Sequence, residues 1–409
     1  MLRDIWVVLA VGALIAGIVA GNAAVAALGV LVGVAGAGAS LWARFSLRRL
    51  TYERVIPEDH AFPGERLVMQ LRITNGKPLP LPWVETRERF AATLVAEDDP
   101  EFRLAGQVEV AQTDWRTSVG PHQRVSRRHE LECRERGVFE IGPAKLHSGD
   151  PFGLFQDERT EEAVSRVIVY PRTVTFDELA LPARRPYGED SGGLRLFEDP
   201  SRILGLRDYT PGDSLRRIDW NATARLGRLQ SRVYDPASSR HLLICLNTQT
   251  TVPVWAGVVS DVLERSITVA ASIARDAYET RYALGLLANS TFPDADRSIR
   301  IPPGRRPEQF IRILEALAVV TPFVLEPLAA MLDREEHRLA QGTTIVLVSG
   351  LVPGPLASAI LRLARRGHTV VLFHTSTEPL PEQLAGTDVR DVSAIDMAWR
   401  APDAPEVQA

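Results

Sequence analysis

The densest group of side chains able to do chemistry lies between Arg202 and Arg232, where seven arginines and three aspartates leave a local surplus of +4. Its centre reads Leu206-Arg207-Asp208-Tyr209-Thr210-Pro211-Gly212-Asp213-Ser214-Leu215-Arg216-Arg217-Ile218-Asp219-Trp220, and Ala224-Arg225 follows. Carboxylates and guanidinium groups at this density can build an ion-pair network, a docking surface or an acid–base site. If the segment is helical, Asp213, Arg216 and Asp219 share one face at i, i+3 and i+6, with Trp220 packing below. In the structural reading, Gly212 turns the chain, Asp213 caps a helix at Ser214 and the carboxylates hold the guanidinium groups. In the binding reading, the arginines form a basic surface for a protein partner or for acidic lipid headgroups. Catalysis fits least well, because no His, Cys or activated Ser belongs to the set.

The rest of the chain offers few reactive constellations. It has neither a Gly-rich phosphate loop ending in Lys-Ser/Thr nor an HExxH motif. The eight histidines are scattered without ligand spacing, and the two cysteines, Cys133 and Cys245, fall in different domains. They support no disulfide framework or zinc site, and Cys245 within an apolar run reads as a buried thiol. A net charge of -4 gives no reason to expect nucleic acid as a partner. Basic character is almost wholly Arg, which suggests a GC-rich bacterial genome.

A chain of 409 residues holds several domains, and these must position the signature. Charge is absent from Ile5 to Ala43, broken only by Gly21-Asn22, which parses as two membrane spans, 5–20 and 23–43. Gly29, Gly33, Gly36 and Gly38 would let the spans pack closely. Arg3 precedes the first span, and Arg44, Arg48 and Arg49 follow the second, so both ends and the soluble remainder are expected in the cytoplasm, at the inner membrane. The competing parse is a signal peptide cleaved near Ala24-Val25-Ala26. Residues 50–185 read as a β-rich, sandwich-like domain of short strands and frequent turns, with Pro78, Pro80 and Pro82 in a loop or at a sheet edge. Residues 186–240 form the signature and a connecting region. From 241 to 400, strands alternate with helices, which implies a doubly wound parallel sheet. Residues 401–409 read as a disordered tail.

The signature has the pattern R-x-Y-x-x-G-D-x-x-R-x-I-D-W followed by A-R. Upstream lie Arg136-Gly137-Val138-Phe139-Glu140-Ile141-Gly142-Pro143 and Gly149-Asp150-Pro151-Phe152-Gly153-Leu154-Phe155. In these motifs the chain resembles the bacterial family called domain of unknown function fifty-eight. The resemblance implies a C-terminal domain of the von Willebrand factor A type and work beside an ATPase of the MoxR type. It also implies that Arg207, Tyr209, Gly212, Asp213, Arg216, Asp219, Trp220 and Arg225 form the shared signature.

Domains of that type usually hold a divalent cation through D-x-S-x-S after the first strand, where a hard ion takes anionic oxygen ligands. Here that loop reads Asn247-Thr248-Gln249-Thr250-Thr251. Asn247 replaces the carboxylate, Gln249 replaces a hydroxyl and Thr251 keeps a suitable oxygen, so the site is read as degenerate and metal-free. No cofactor is expected. The preferred expectation is a membrane-anchored, non-catalytic scaffold or adaptor, partnered by the lipid bilayer, a MoxR-type ATPase and other envelope proteins. The rivals are an envelope-acting enzyme using the Asp/Arg cluster and an extracytoplasmic binding protein.

Overall fold

The computed structural model describes residues 5–94, 102–104, 110–175, 198–210, 218–236, 241–252, 257–292 and 295–395. Gly212, Asp213, Arg216, parts of the connecting region (186–197, 211–217 and 237–240) and the tail lie outside them. The chain divides into two units, 1–171 and 172–397.

The first unit opens with helices α1 (Ile5–Val19) and α2 (Ala23–Ser46). Asn22 caps α2, its side chain accepting from the amides of Ala24 and Val25. Helix α2 is long and apolar enough to cross a membrane; the 15 residues of α1 reach roughly 22 Å, short of a hydrocarbon core of about 30 Å. The helices pack together at glycine: a Cβ on Gly29 would meet the Leu14 amide at 2.5 Å, and one on Gly36 would meet the Trp6 ring at 2.3 Å. Gly38, expected in the same seam, faces open space.

Eleven strands follow: β1 (Leu50–Val55), β2 (His60–Ala61), β3 (Arg66–Asn75), β4 (Leu81–Ala91), β5 (Phe102–Leu104), β6 (Val110–Val119), β7 (Arg124–Glu132), β8 (Gly137–Ile141), β9 (Ala144–Gly149), β10 (Gln156–Glu161) and β11 (Ser165–Val169). They form sheets ordered β1-β3-β7, β10-β9-β4-β6-β5 and β2-β11-β8. Period-2 burial along β3 turns Leu67, Met69, Leu71 and Ile73 inward, where they share one core with Val84, Phe90 and Leu146 of the five-stranded sheet. Pro82 is not in a loop or at an edge. It stands in β4, a central strand, before Val84, where the pairing register with β6 shifts. An irregular strand end tolerates a residue with no amide hydrogen to give.

Inside this core a charged pair bridges two sheets. Arg54 of β1 donates two hydrogen bonds to Glu88 of β4, at 2.7 and 2.9 Å, and Tyr52 of β1 donates to the same carboxylate. Arg54 also reaches the Ala163 carbonyl at 3.0 Å. Burial pushes the Glu88 carboxyl up from its ordinary range, against the pull of Arg54 and the Tyr52 hydroxyl.

The C-terminal end of α2 is tied into this unit. Lys77 donates to the Ser46 carbonyl at 2.6 Å, while Arg159 donates to the carbonyls of Leu47 and Leu50 at 3.3 and 2.9 Å. The Ser46 and Leu47 carbonyls are among those a helix end leaves unpaired, and the Leu50 carbonyl opens β1. Burial and the neighbouring Arg159 push the Lys77 ammonium down to about 8.

The second unit holds β12 (Glu198–Asp208), α3 (Trp220–Leu226), β13 (Gln230–Pro236), β14 (His241–Asn247), α4 (Ser260–Glu279), β15 (Ala283–Phe292), β16 (Ala295–Gly304), α5 (Glu308–Ala318), α6 (Leu328–Glu335), β17 (Thr344–Ser349), α7 (Gly354–Arg365), β18 (Thr369–His374) and β19 (Asp388–Asp391). Its six-stranded sheet runs β16-β15-β14-β17-β18-β19, parallel throughout except for β16 at one edge. Helices α4 and α5 pack together against the sheet, and α6 and α7 form a second pair. Leu243, Cys245 and Leu347 point towards α6 and α7, so β14 and β17 are buried on both faces and read as unbroken apolar runs. Residues 172–175 belong here rather than with the β-rich part: the Val174 amide donates to Ser272 of α4 at 2.9 Å.

Both thiols are fully buried, and burial pushes Cys133 up to about 11 and raises Cys245 also. Thiolate is the reactive form. Native protein at pH 8 is therefore expected to give no fast reaction with a thiol reagent, and to release two equivalents in denaturant; fast labelling of either cysteine before unfolding would contradict the packing.

Candidate functional site: the strand ends and the signature hairpin

In a parallel sheet, ligands meet the carboxyl ends of the strands where the strand order reverses, here between β14 and β17. At that point Asn247 pairs with Ser349, and Ser349 pairs with His374 of β18. Asn289 of β15 completes the row, one residue beyond the Ala288–Leu246 pair. All four are buried.

These groups bond to one another. Asn247 Nδ2 donates to Ser349 Oγ and to the Leu351 carbonyl, both at 2.9 Å. Its Oδ1 accepts from Asn289 Nδ2 at 2.9 Å and from the Gln249 amide at 3.2 Å. Asn289 Oδ1 accepts from the amide and hydroxyl of Thr248 at 2.7 and 3.0 Å. The loop beyond is also closed: Gln249 donates to the Thr251 carbonyl at 3.1 Å, and Thr251 donates to the Gly257 carbonyl at 2.5 Å. Thr250 Oγ1 accepts the Val259 amide at 2.7 Å, at the start of α4. His374 Nε2 donates to the Glu378 carbonyl at 2.8 Å.

A hard cation needs several oxygen ligands with negative charge among them. Asn247 turns its N–H groups, not its oxygen, towards Ser349 and Leu351, while its oxygen and the Thr248 hydroxyl are engaged by Asn289 of β15. The three residues expected at a degenerate metal site thus stand together, but they do not fit the ion. Asn289, which locks Asn247, was missed in sequence: a single Asn at the end of an apolar strand has no local pattern. Only the register reveals it.

The signature forms a hairpin with a helix across it. Strands β12 and β13 pair antiparallel, with Arg207 opposite Ser231 and Asp208 opposite Gln230. Asp208 accepts from Gln230 at 2.6 Å and pairs with Arg228 at 3.3 Å. Arg207 donates to Thr210 at 2.9 Å, and the Tyr209 amide donates to the Leu229 carbonyl at 2.9 Å. The expected cap at Asp213 lies outside the described residues. Asp219 caps α3, accepting the Ala222 amide at 3.0 Å while bound to Arg232 at 3.0 Å. Gly227, at φ 68°, ends this short helix in the left-handed conformation.

Trp220 does not pack below the acids. It stands 66% exposed on the first turn of α3, with Arg225, Leu226 and Leu229 exposed beside it. Thus Asp208 and Asp219 hold the hairpin together, while the outward surface is aromatic, aliphatic and cationic.

The Ala222 amide, with Arg232 behind it, holds the Asp219 carboxyl below the ordinary carboxylate range. A carboxyl depressed in the folded state contributes stability above that range and loses it as the pH falls through it. Asp219→Ala is therefore expected to lower the melting temperature of the second unit at pH 7. The gap between variant and parent should narrow towards pH 3; an unchanged gap in a thermal scan would show that the cap does not depend on charge.

The chain is 23% identical over 339 residues to the uncharacterized protein YeaD of Bacillus subtilis (strain 168), a match covering 80% of this chain and 76% of that protein. Among solved structures, the CARDB domain of a Pyrococcus furiosus protein matches 29% of this chain and 86% of its own at 14% identity and a TM-score of 0.21. A type I cohesin–dockerin complex of Clostridium thermocellum gives 13% identity, 29% and 99% coverage and a TM-score of 0.21. The signature hairpin and the six-stranded sheet, residues 205–393, match the family model described as protein of unknown function DUF58.

Proposed function

We propose that this chain is a membrane-anchored, non-catalytic adaptor that holds a protein-binding α/β unit at the bilayer. In this reading α1 and α2 form a membrane hairpin, the second unit is of the von Willebrand factor A type, and the arginines after α2 keep it on the cytoplasmic side. The partner that the family resemblance suggests is a MoxR-type ATPase acting on envelope-associated proteins.

The observation that carries the proposal is the strand-end row. Asn247, Asn289 and Ser349 sit where an α/β sheet usually meets its ligand, and their polar atoms are already bonded to each other. A neutral, self-satisfied, buried row holds the strand ends rigid and supplies no reactive group of its own. The signature supplies a complementary contact: exposed Trp and Arg are the residue types that most often anchor protein interfaces.

Co-purification from membranes tests this. Intact chain, Arg216→Glu/Arg217→Glu and Trp220→Ala are each used to capture the MoxR-type ATPase. The reading expects capture by the intact chain and at least a tenfold loss for both variants, equal to about 1.4 kcal/mol. Equal capture by all three would remove the signature as the contact surface.

A further inference from the structure

The motif Asp150-Pro151-Phe152-Gly153-Leu154-Phe155 is not accounted for by the signature hairpin or the strand ends. It is a closed loop with an apolar tip. Asp150, fully buried, spends both carboxylate oxygens on the loop, accepting the Phe152 amide at 2.9 Å and the Phe155 amide at 2.5 Å. The Asp150 amide donates to the Phe155 carbonyl at 3.1 Å, and Trp83 donates to the Asp150 carbonyl at 3.1 Å. Gly153 turns the tip at φ 72°. A buried carboxylate thus fixes a loop whose outermost side chains are Phe152, 77% exposed, and Leu154, 69% exposed. Water is a poor environment for a rigid apolar tip of this kind.

The last residue of the loop says what covers it. Phe155 packs with Ala39 and Ala43 of α2 and meets the Trp6 ring edge-on at 6.0 Å. Ala39 lies seven residues before the end of α2, roughly 10 Å up the helix. Phe155, at the base of the loop, therefore stands beside the last turns of the apolar helix. Arg44 in the final turn, and Arg48 and Arg49 beyond the helix end, are exposed and form no ion pair among the described residues. Apolar side chains above and cations beneath match the order of acyl chains and anionic headgroups in one leaflet.

We infer that the Asp150–Phe155 loop inserts Phe152 and Leu154 into the bilayer beside α2, seating the β-rich unit on the lipid surface at a second point. The inference rests on the membrane-anchor reading. The loop would add a second lipid contact to the one the helices make.

Full-length protein carrying Phe152→Cys, Leu154→Cys, Val34→Cys or Glu130→Cys tests it after labelling with an environment-sensitive fluorophore. The native thiols are buried and do not compete. Val34 is exposed within α2 and reports the anchor, while Glu130 lies on β7 towards the end far from α2 and reports water. Each is reconstituted in phosphatidylcholine/phosphatidylglycerol vesicles and challenged with nitroxide-labelled lipids or aqueous iodide. The expected result is nitroxide quenching at 34, 152 and 154, with iodide quenching confined to 130. Nitroxide quenching at 34 with iodide quenching at 152 and 154 overturns the loop insertion and leaves the anchor standing. Iodide quenching at 34 overturns the anchor, and the inference with it.

Discussion

Asn289→Ala is expected to cost the α/β unit about 3–5 kcal/mol, because it removes the acceptor of two buried donors and one of the two donors to a third group. The amide and hydroxyl of Thr248 lose their acceptor, and Asn247 Oδ1 keeps only the Gln249 amide. Thr248 and Asn247 are both buried. Asn247→Ala should cost a similar amount through Ser349 Oγ, which loses the Nδ2 donor, and the Gln249 amide. Since the two residues share a bond, the double variant should cost at least about 1 kcal/mol less than the sum. Native-state hydrogen exchange at the amides of β14 and β17 measures this locally, without assuming that the whole chain unfolds in one step. Additive losses would show that the two amides are not one lock.

Glu88→Ala is expected to destabilise the first unit by about 3–5 kcal/mol, the usual cost of leaving one member of a buried ion pair alone. The side chains of Glu88 and Arg54 are 0% and 4% exposed, so the guanidinium would keep only the Ala163 carbonyl and the Ser165 hydroxyl and no countercharge. The hydroxyl of Tyr52 loses its acceptor too. Replacing the pair together, as Arg54→Met/Glu88→Leu, should restore most of the loss, because apolar side chains of similar volume suit a core whose neighbours are already apolar. Thermal scans of the detergent-solubilised chain read both effects. If the double variant stays as unstable as Glu88→Ala, the pair does more than neutralise itself.

Much of the architecture was legible because burial writes itself into composition. Strands β14, β17 and β18, covered on both faces, appear as apolar runs, and α4 appears as a long amphipathic segment. Strand β16 was not legible. It is an antiparallel edge with Ile299 and Ile301 turned inward, Ser298 and Arg300 engaged with acids at its surface, and two prolines near its end. That alternation is brief and crossed by turn residues. Pro82 misled for the opposite reason, since a central strand tolerated it at a register shift.

At the sites, residue identity was informative and partnership was not. The absence of a carboxylate at 247 could be read directly, whereas the partner that replaces its role comes from β15, 42 residues away. Asp219 was not read as a helix cap, and Arg232 behind it comes from β13, 13 residues away, where no local pattern reveals it. Trp220 was expected to pack below the acids of a helical face, but on the first turn of a seven-residue helix it stands exposed.

Isothermal titration calorimetry of the purified full-length chain with magnesium and manganese tests the central claim, that the strand-end row is a self-bonded lock. The account predicts no saturable heat with either ion, for the parent and for Asn247→Ala alike. Saturable uptake by the parent that disappears in Asn247→Ala would contradict it.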